Sequence, residues 1–312
     1  MRSVAVILEG PERLALRSLT LSPMTADDVR VEIDWSGISS GTEKLLWTGR
    51  MPSFPGMGYP LVPGYESVGR IVDAGADARG RIGEWVFVPG ANCFAEARGL
   101  FGGSARTVIL PSARAVPIAE SMGRDGILLA LAATAHHAIA VGGVPDVIVG
   151  HGILGRLIAR IVIASGGSTP TVWETNPARR DDSAWSGEYP VVDPAQDDRR
   201  DYRTICDASG ATDILDTAFA RIAKGGVVVL AGFYDRLSFA FPPAFMREAS
   251  VRIAAEFMPA DIAATLALID TGLLDLDGLI THARPASDAE HAYPQAFADP
   301  DCLKMVLDWR QL

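Results

Sequence analysis

The sequence predicts an α/β protein in which a small, mostly β domain precedes a doubly wound parallel sheet. Three observations favour this fold class. The chain has 312 residues, about twice the usual length of one domain. Short β-rich runs separated by glycine and proline give way, after about residue 123, to alternating strand and helix patterns. A glycine array also follows the first strand of the alternating part.

The first segment, residues 1–115, is predicted to be the mostly β domain. Its apolar runs are short, rich in β-branched residues and bounded by turn residues. The predicted strands are Ser3–Leu8, Asp28–Trp35, Glu66–Val72, Glu84–Pro89 and Ala105–Leu110.

The second segment, residues 116–255, is predicted to contain six strands joined by helical crossovers, which implies a parallel sheet. The predicted strands are Asp146–Val149, Thr171–Glu174, Val191–Val192, Arg203–Asp207, Val227–Ala231 and Val251–Ala255. The predicted helices are Leu154–Ser165, Thr212–Ala223 and, after the last strand, Ala260–Thr271.

Composition excludes several classes of protein. A net charge of -10 opposes a broad electrostatic contact with nucleic acid or anionic lipid. Three widely spaced cysteines provide neither a disulfide framework nor a cysteine-rich zinc site, which favours a reducing cytoplasm. We expect no signal peptide, because the N-terminal apolar run Val4–Leu8 is too short for one. We expect no membrane span, because His136 and His137 interrupt the apolar stretch Ile127–Val141.

A dinucleotide-binding turn is predicted between the strand that ends at Val149 and the following helix. Gly150, Gly152 and Gly155 form a G-x-G-x-x-G array, with His151, Ile153 and Leu154 between them. The glycines allow a tight turn, close approach of the backbone to a pyrophosphate, and close packing of helix on strand. His151 is expected either to contact a phosphate or to face solvent.

Glu174 indicates the cofactor, because it ends the second strand about 20 residues beyond Gly155, where an acidic side chain bonds a ribose 2′-hydroxyl. A carboxylate there favours NAD and repels the 2′-phosphate of NADP. Arg179 and Arg180 lie close by in the sequence and are candidates for contact with a 2′-phosphate.

The whole chain resembles the medium-chain dehydrogenase/reductase family. The likeness rests on WSGISSGTE (35–43), PGYESVG (63–69), DASG (207–210) and GGVVVLAG (225–232), with similar segments near the C-terminus. It implies a GroES-like catalytic domain, a Rossmann domain, and a tail, residues 256–312, that returns to the first domain. It also implies that the ends of the fourth and fifth Rossmann strands line the cofactor: Ala208, Ser209, Ala231, Gly232 and Phe233.

The departures from the family pattern concern the metal. Zinc-dependent members hold their catalytic metal with Cys, His and a later Cys or Asp, whereas the matching positions here are Ser39, Tyr65 and Ala130. Such a set of side chains does not suit zinc. We therefore expect no metal ligands in this chain.

Without zinc, another group has to take up the proton of an alcohol substrate. We predict a hydroxyl network of Tyr65 with Ser39 or Thr42 that passes the proton to Lys44 or to water. His136 is a second candidate for proton transfer. The alternatives are that Tyr65 only fills the space of the metal, that Lys44 is a solvated helix residue, and that His136 is a surface residue.

Within the zinc-free branch, the chain resembles dehydrogenases of bacteriochlorophyll synthesis, through segments such as VPGANCF (88–94). This implies oxidation of the C3 1-hydroxyethyl group of a (bacterio)chlorin to acetyl by NAD. Trp47–Val62, with Met51, Phe54, Met57 and Tyr59, and Phe94–Phe101 are candidates to line an apolar mouth for the macrocycle.

Two alternatives stay open from the sequence: a quinone or enoyl reductase of the same family, and a non-catalytic dinucleotide-binding protein. Edge pairing of the sixth Rossmann strand, Val251–Ala255, is a candidate for homodimer formation.

Overall fold

The computed structural model describes residues 1–53, 55–180, 188–234 and 236–312, which form two compact units. The first unit combines Met1–Ala130 with Asp277–Leu312, and the second is Leu131–Leu276. These divisions differ from the predicted boundaries at 115 and 255. The 3₁₀ helix Glu120–Leu128 belongs to the first unit, where Gly126 lies against Val68.

The N-terminal part of the first unit is mostly β, as predicted. Its elements are β1 (Arg2–Gly10), β2 (Arg13–Thr20), β3 (Asp28–Ile38), α1 (Thr42–Trp47), β4 (Ser67–Ala74), β5 (Trp85–Val88), β6 (Thr107–Pro111) and β7 (Val116–Pro117). Strands β1 and β2 form an antiparallel pair, and β3 pairs antiparallel with both β4 and β6.

Strand β3 shows why this sequence folds as a half-buried sheet. Val29, Val31 and Ile33 are fully buried, whereas the intervening Arg30 and Glu32 are partly exposed. Because successive side chains of a strand point to opposite faces, this alternation directs one face into the core.

The second unit alternates helices and strands. Its elements are α2 (Leu129–Gly142), β8 (Val147–Val149), α3 (Ile153–Ala164), β9 (Thr171–Trp173), α4 (Pro177–Arg180), β10 (Val191–Val192), β11 (Tyr202–Asp207), α5 (Ile214–Phe219), β12 (Ile222–Leu230), α6 (Phe241–Arg247), β13 (Ser250–Ile253) and α7 (Pro259–Asp270).

The sheet of the second unit confirms the predicted fold class. Six strands lie in the order β10-β9-β8-β11-β12-β13, and every neighbouring pair is parallel. In the order of its own strands this is 3-2-1-4-5-6, the Rossmann arrangement. The chain reverses direction across the sheet between β8 and β11, and ligands bind at the carboxyl ends of strands at such a switch point.

The C-terminal segment adds β14 (His282–Pro285), α8 (Ala289–Ala298) and β15 (Met305–Asp308) to the first unit. Strand β15 pairs antiparallel with β3, with Met305 opposite Ile38 and Asp308 opposite Trp35. The fully buried Trp309 extends this contact, because its indole N–H donates to Ser36 Oγ at 2.8 Å. The C-terminal strands therefore belong to the same sheet as β3, β4 and β5.

One segment, Glu120–Gly142, is long and apolar enough by length and composition to span a membrane, and 56% of its apolar window is buried within the protein. The expectation that no stretch reaches this length is therefore wrong on that criterion, although core helices of soluble proteins pass the same test. Across the described ranges, no group of three or more His, Cys, Asp or Glu side chains is arranged to hold a metal ion.

Candidate active site

A cluster of three hydroxyl groups lies in the first unit where β3 ends and β4 begins. Tyr65 Oη donates to Ser39 Oγ at 2.6 Å and lies 3.2 Å from Thr42 Oγ1. Because β3 and β4 are antiparallel neighbours, the residue after β3 and the residues before β4 meet at the same edge of the sheet. The structure thus brings together three of the predicted catalytic side chains.

The surroundings of Tyr65 favour its neutral form. Burial raises the pKa of the phenol and the nearby Glu66 raises it further, while the hydrogen bonds to Ser39 and Thr42 lower it by less. Tyr65 is therefore a hydrogen-bond donor, not a base, at ordinary pH. The ring also packs on Phe101, with a centroid separation of 5.2 Å.

Lys44 is not part of this hydroxyl cluster, contrary to the prediction. Its ammonium group donates to the carbonyl oxygen of Phe297 at 2.9 Å. Phe297 lies in the last turn of α8, where the helix dipole favours a cation. Lys44 is half-buried rather than solvated, and it joins α1 to the C-terminal helix.

Three ionisable side chains are buried beneath the hydroxyl cluster, and sequence reasoning gave none of them a catalytic role. Glu43 and Glu66 are fully buried, and Lys304 is 2% exposed. Lys304 forms an ion pair with Glu66, and Glu43 accepts a hydrogen bond of 3.3 Å from the Ser39 backbone N–H. Glu43 and Glu66 lie within the segments on which the family resemblance rests, whereas no local signal pairs Glu66 with Lys304.

Several side chains predicted to line the macrocycle mouth lie in one apolar cluster, and one of them, Phe101, packs on Tyr65. Leu8, Leu46, Met51 and Leu61 are buried. The partly buried side chains packed on them include Trp47, Met57, Tyr59 and Phe101. Phe54 lies outside the described residues.

The glycine turn of the second unit has the conformation that the motif predicts. Gly150 has a φ of 96°, which favours glycine, and any Cβ on Gly155 would overlap the Gly150 carbonyl oxygen. Gly152 has an ordinary φ of -76° and open space where a Cβ would stand, at the first position before α3. Ile153 and Leu154 then begin α3, so its N-terminus follows the turn directly.

Glu174 lies at this turn. Its carboxylate accepts the backbone N–H of His151 at 2.9 Å and that of Asn176 at 2.8 Å, and the residue is 8% exposed. The acid at the end of β9 is thereby fixed against the glycine turn of β8. Its neighbour Arg180 is directed to Asp193 at 2.8 Å and to backbone carbonyls.

His151 neither faces solvent nor presents a free ring nitrogen to a phosphate, so both expectations for its side chain are wrong. The residue is fully buried. Its Nδ1 lies 2.7 Å from the Arg179 carbonyl oxygen, and its Nε2 lies 3.0 Å from the Tyr189 hydroxyl. The imidazole ring therefore has a structural role in holding the glycine turn.

The ends of β11 and β12 carry the remaining residues predicted to line the cofactor. Ala208 continues β11 by donating its N–H to Val149 at 2.9 Å, and Ser209 lies against Gly150. After β12 come Ala231, which is buried, Gly232, and Phe233, which is 49% exposed.

Asp207 organises these strand ends, a role that sequence reasoning missed. It is fully buried, accepts the Ser209 N–H at 3.0 Å, and accepts the Tyr234 hydroxyl. Burial raises the pKa of Asp207, and its hydrogen bonds from Ser209 and Tyr234 oppose that rise. The carboxyl group thus joins the chain after β11 to the chain after β12.

His136 is engaged by a carboxylate of its own unit. His136 and His137 place their Nδ1 atoms 2.8 Å from the two oxygens of Asp261, at the start of α7. Burial alone would raise the pKa of Asp261, but hydrogen bonds from the Met258 N–H and the two rings hold it below its ordinary value. The two histidines and Asp261 thereby join α2 to α7. The proton path proposed below does not include His136.

The sequence matches known proteins over its full length. Residues 25–120 match the alcohol dehydrogenase GroES-like domain family. The 2-desacetyl-2-hydroxyethyl bacteriochlorophyllide A dehydrogenase of Cereibacter sphaeroides is 56% identical, with 99% of each chain covered. The protein of the same name from Rhodobacter capsulatus is 54% identical, again over 99% of each chain. The chain belongs to the family of these dehydrogenases.

This bacteriochlorophyllide dehydrogenase family is a branch of the medium-chain dehydrogenases/reductases, so the predicted resemblance is confirmed. Its members are oxidoreductases that act on a CH–OH group. A crystal structure of a short chain alcohol dehydrogenase from Escherichia coli in complex with NADH superposes with a TM-score of 0.85, covering 99% of each chain at 20% identity. That likeness shows the fold.

The two glycines of the turn provide a matched pair of substitutions. Gly155→Ala is expected to lower the free energy of unfolding of this dehydrogenase by about 2–3 kcal/mol, because the methyl group overlaps a backbone oxygen. Gly152→Ala places its methyl group in open space and is expected to cost less than about 1 kcal/mol. Urea unfolding followed by circular dichroism measures both, and equal losses would contradict the packing role of Gly155.

Proposed function

We propose that the chain catalyses the NAD-dependent oxidation of the C3 1-hydroxyethyl group of a (bacterio)chlorophyllide to acetyl, without a catalytic metal. The observation that carries the substrate is the identity of 56% over 99% of both chains with a dehydrogenase named for that hydroxyethyl compound. The contacts described above support the cofactor and the proton path.

The residues at the glycine turn fit a dinucleotide. Gly152 leaves the backbone open to a pyrophosphate at the N-terminus of α3, and the carboxylate of Glu174 suits a ribose hydroxyl. A 2′-phosphate would meet the same carboxylate and be repelled by it. When bound, NAD supplies the acceptor for the hydride from the alcohol carbon.

The residues at the family's metal position do not fit zinc. Zinc ligands are thiolates, neutral imidazoles or carboxylates. Ser39 and Tyr65 are neutral hydroxyls that are bonded to each other at 2.6 Å, and burial makes ionisation of Tyr65 harder. Ala130 provides only a buried methyl group. We therefore derive no step through a metal.

The hydroxyl cluster is the proposed route for the substrate proton. Tyr65 is within hydrogen-bond distance of both Ser39 and Thr42, so these hydroxyls can orient an alcohol, share its proton as carbonyl character develops, and pass that proton towards water. Lys44 serves instead as the anchor of α1, through its bond to the Phe297 carbonyl.

The apolar side chains beside this cluster suit a flat macrocycle. Trp47, Met57, Tyr59 and Phe101 are each only partly buried, and the ring of Phe101 packs directly on Tyr65. Aromatic and apolar side chains beside a single polar cluster suit a flat chlorin ring that carries one alcohol to be oxidised.

Incubation of the purified protein with a 3-(1-hydroxyethyl) chlorin and NAD⁺ tests the proposed function. We expect NADH to form in step with the absorbance shift of an acetyl group conjugated to the ring, and NADP⁺ to be a much poorer acceptor. Faster NADPH oxidation with a simple quinone would instead identify a quinone reductase. Dinucleotide binding without turnover of any of these substrates would identify a non-catalytic protein.

Tyr65→Phe tests the hydroxyl route. The substitution removes one oxygen and keeps the ring, and we expect kcat to fall about 100-fold, the lower end for loss of proton-transfer catalysis. Tyr59→Phe is the matched control, because the Tyr59 hydroxyl donates to the Leu46 carbonyl and should affect kcat little. If Tyr65→Phe retains the wild-type kcat, the assigned proton path is wrong.

We further propose that the protein acts in the cytoplasm as a homodimer formed through β13. The three cysteines are free thiols in the structure, which suits a reducing compartment. Strand β13 is at the edge of the six-stranded sheet, and Ile253 on it is 73% exposed. Phe241, Phe245 and Met246 on the preceding helix are at least 65% exposed. The outer edge of β13 and the exposed apolar side chains beside it favour antiparallel pairing with the same strand of a second chain about a two-fold axis.

Ile253→Lys tests this dimer. We expect the wild-type protein to sediment at twice the chain mass of 33.1 kDa and Ile253→Lys to sediment as a single chain, because a charge replaces an apolar contact. Ile82→Lys is the control, since Ile82 is 51% exposed in the other unit. A wild-type protein that sediments as one chain would contradict the proposal.

A further inference from the structure

The buried charges beneath the hydroxyl cluster are unequal in number. Glu43 and Glu66 are both fully buried, and Lys304 is the buried cation beside them. Lys304 forms its ion pair with Glu66. A second buried carboxylate without a cation of its own is costly, because burial penalises the charged form and its neighbour is already negative.

The missing charge balance is supplied by a proton on Glu43. Burial is the main cause that raises the pKa of Glu43, to about 8, and the charge of Glu66 adds to the rise. Hydrogen bonds with Tyr293 and with the Ser39 N–H oppose it, as does the charge of Lys304 to a smaller extent. Burial raises the pKa of Glu66 as well, but its ion pair with Lys304 opposes that rise, so Glu66 is the carboxylate with a direct counter-charge. Near neutral pH, Glu43 is therefore a neutral carboxylic acid.

Glu43 is placed to influence the hydroxyl cluster in two ways. One of its oxygens accepts the backbone N–H of Ser39, so the carboxyl group holds the residue that accepts the Tyr65 hydroxyl. Its negative charge, when present, raises the pKa of Tyr65 in addition to Glu66. The ionisable groups that act on Glu43 from neighbouring elements are Glu66, Lys304, Tyr65 and, on α8, Tyr293.

We propose that Glu43 is a positioning residue for the alcohol oxidation. The neutral form of Glu43 holds Ser39 in place, and ionisation of Glu43 impairs the hydroxyl cluster. The inference rests on the proposed function for its kinetic consequence. The oxygen of the substrate alcohol gains negative charge as its proton is relayed through the Tyr65 and Ser39 hydroxyls, each of which passes its own proton on towards water. A second carboxylate nearby disfavours that charge, whereas a neutral acid does not.

The ratio of kcat values of Glu43→Gln and wild type across pH tests the proposal. Glutamine keeps the shape and the hydrogen-bond acceptor for Ser39 but cannot ionise. We expect a ratio near 1 at pH 6.5 that rises to about tenfold at pH 9, because only the wild type loses its neutral form. Titrations that both proteins share, including that of the alcohol, cancel in the ratio. Glu290→Gln, on the exposed face of α8, is the control and should give a constant ratio.

A constant ratio for Glu43→Gln would overturn the proposal, and so would a folded Glu43→Gln protein that is inactive at every pH. Infrared spectroscopy of the wild type, without substrate, provides the second measurement. We expect the C=O band of a protonated carboxylic acid at pH 7, lost by pH 9 and absent from Glu43→Gln. Absence of that band in the wild type overturns the proposal even if the variant does not fold. Because this measurement needs no turnover, its result is independent of whether the chlorin is the substrate.

Discussion

The buried ion pair between Glu66 and Lys304 is the interaction on which the hydroxyl cluster depends. Glu66 directly precedes β4 and Lys304 directly precedes β15, so the pair joins the Tyr65 loop to the C-terminal strand. Loss of one partner of a buried pair leaves an uncompensated charge and costs about 3–5 kcal/mol. Gly37 of β3 lies against the pair, and any side chain there would overlap the Glu66 carboxylate. Position 37 therefore requires glycine, because the Glu66 carboxylate occupies the space of a side chain.

A site built on hydroxyl groups has different electrostatic requirements from a site built on a metal ion. A divalent cation tolerates carboxylates nearby, because it offsets their negative charge. A cluster of neutral hydroxyls carries no positive charge to offset nearby carboxylates. It stabilises developing negative charge only by donating hydrogen bonds. Tyr65 keeps its proton and can donate, and the single cation beneath it is already paired with Glu66. The protonation state of Glu43 therefore matters more here than it would beside a metal.

Local patterns predicted the second unit well because the features that define it are close in sequence. Five of the six strands begin within one residue of the predicted position, and the glycine turn and Glu174 are brought together as their spacing indicated. The exception is β12, which begins at Ile222 and not at Val227. Gly225, with a φ of 74°, lies inside it where the pairing with β11 is irregular. A glycine pair resembles a loop in sequence, and here it lies between the two places where β12 pairs with β11, at Ile222 and from Val227 onwards.

The partners of individual side chains were harder to predict. A match to a position in related proteins indicates where the backbone lies, but it does not indicate which group the side chain contacts. Lys44 directly follows a segment on which the family resemblance rests and is predicted to receive the proton, yet its ammonium group reaches the Phe297 carbonyl. The end of α8 provides a partner there that the sequence of α1 cannot reveal. His151 shows the same limit, since the ring that the motif places in the turn is directed inwards to Tyr189. Both partners are remote in sequence, so only the folded chain determines whether such a residue faces the chemistry or supports it.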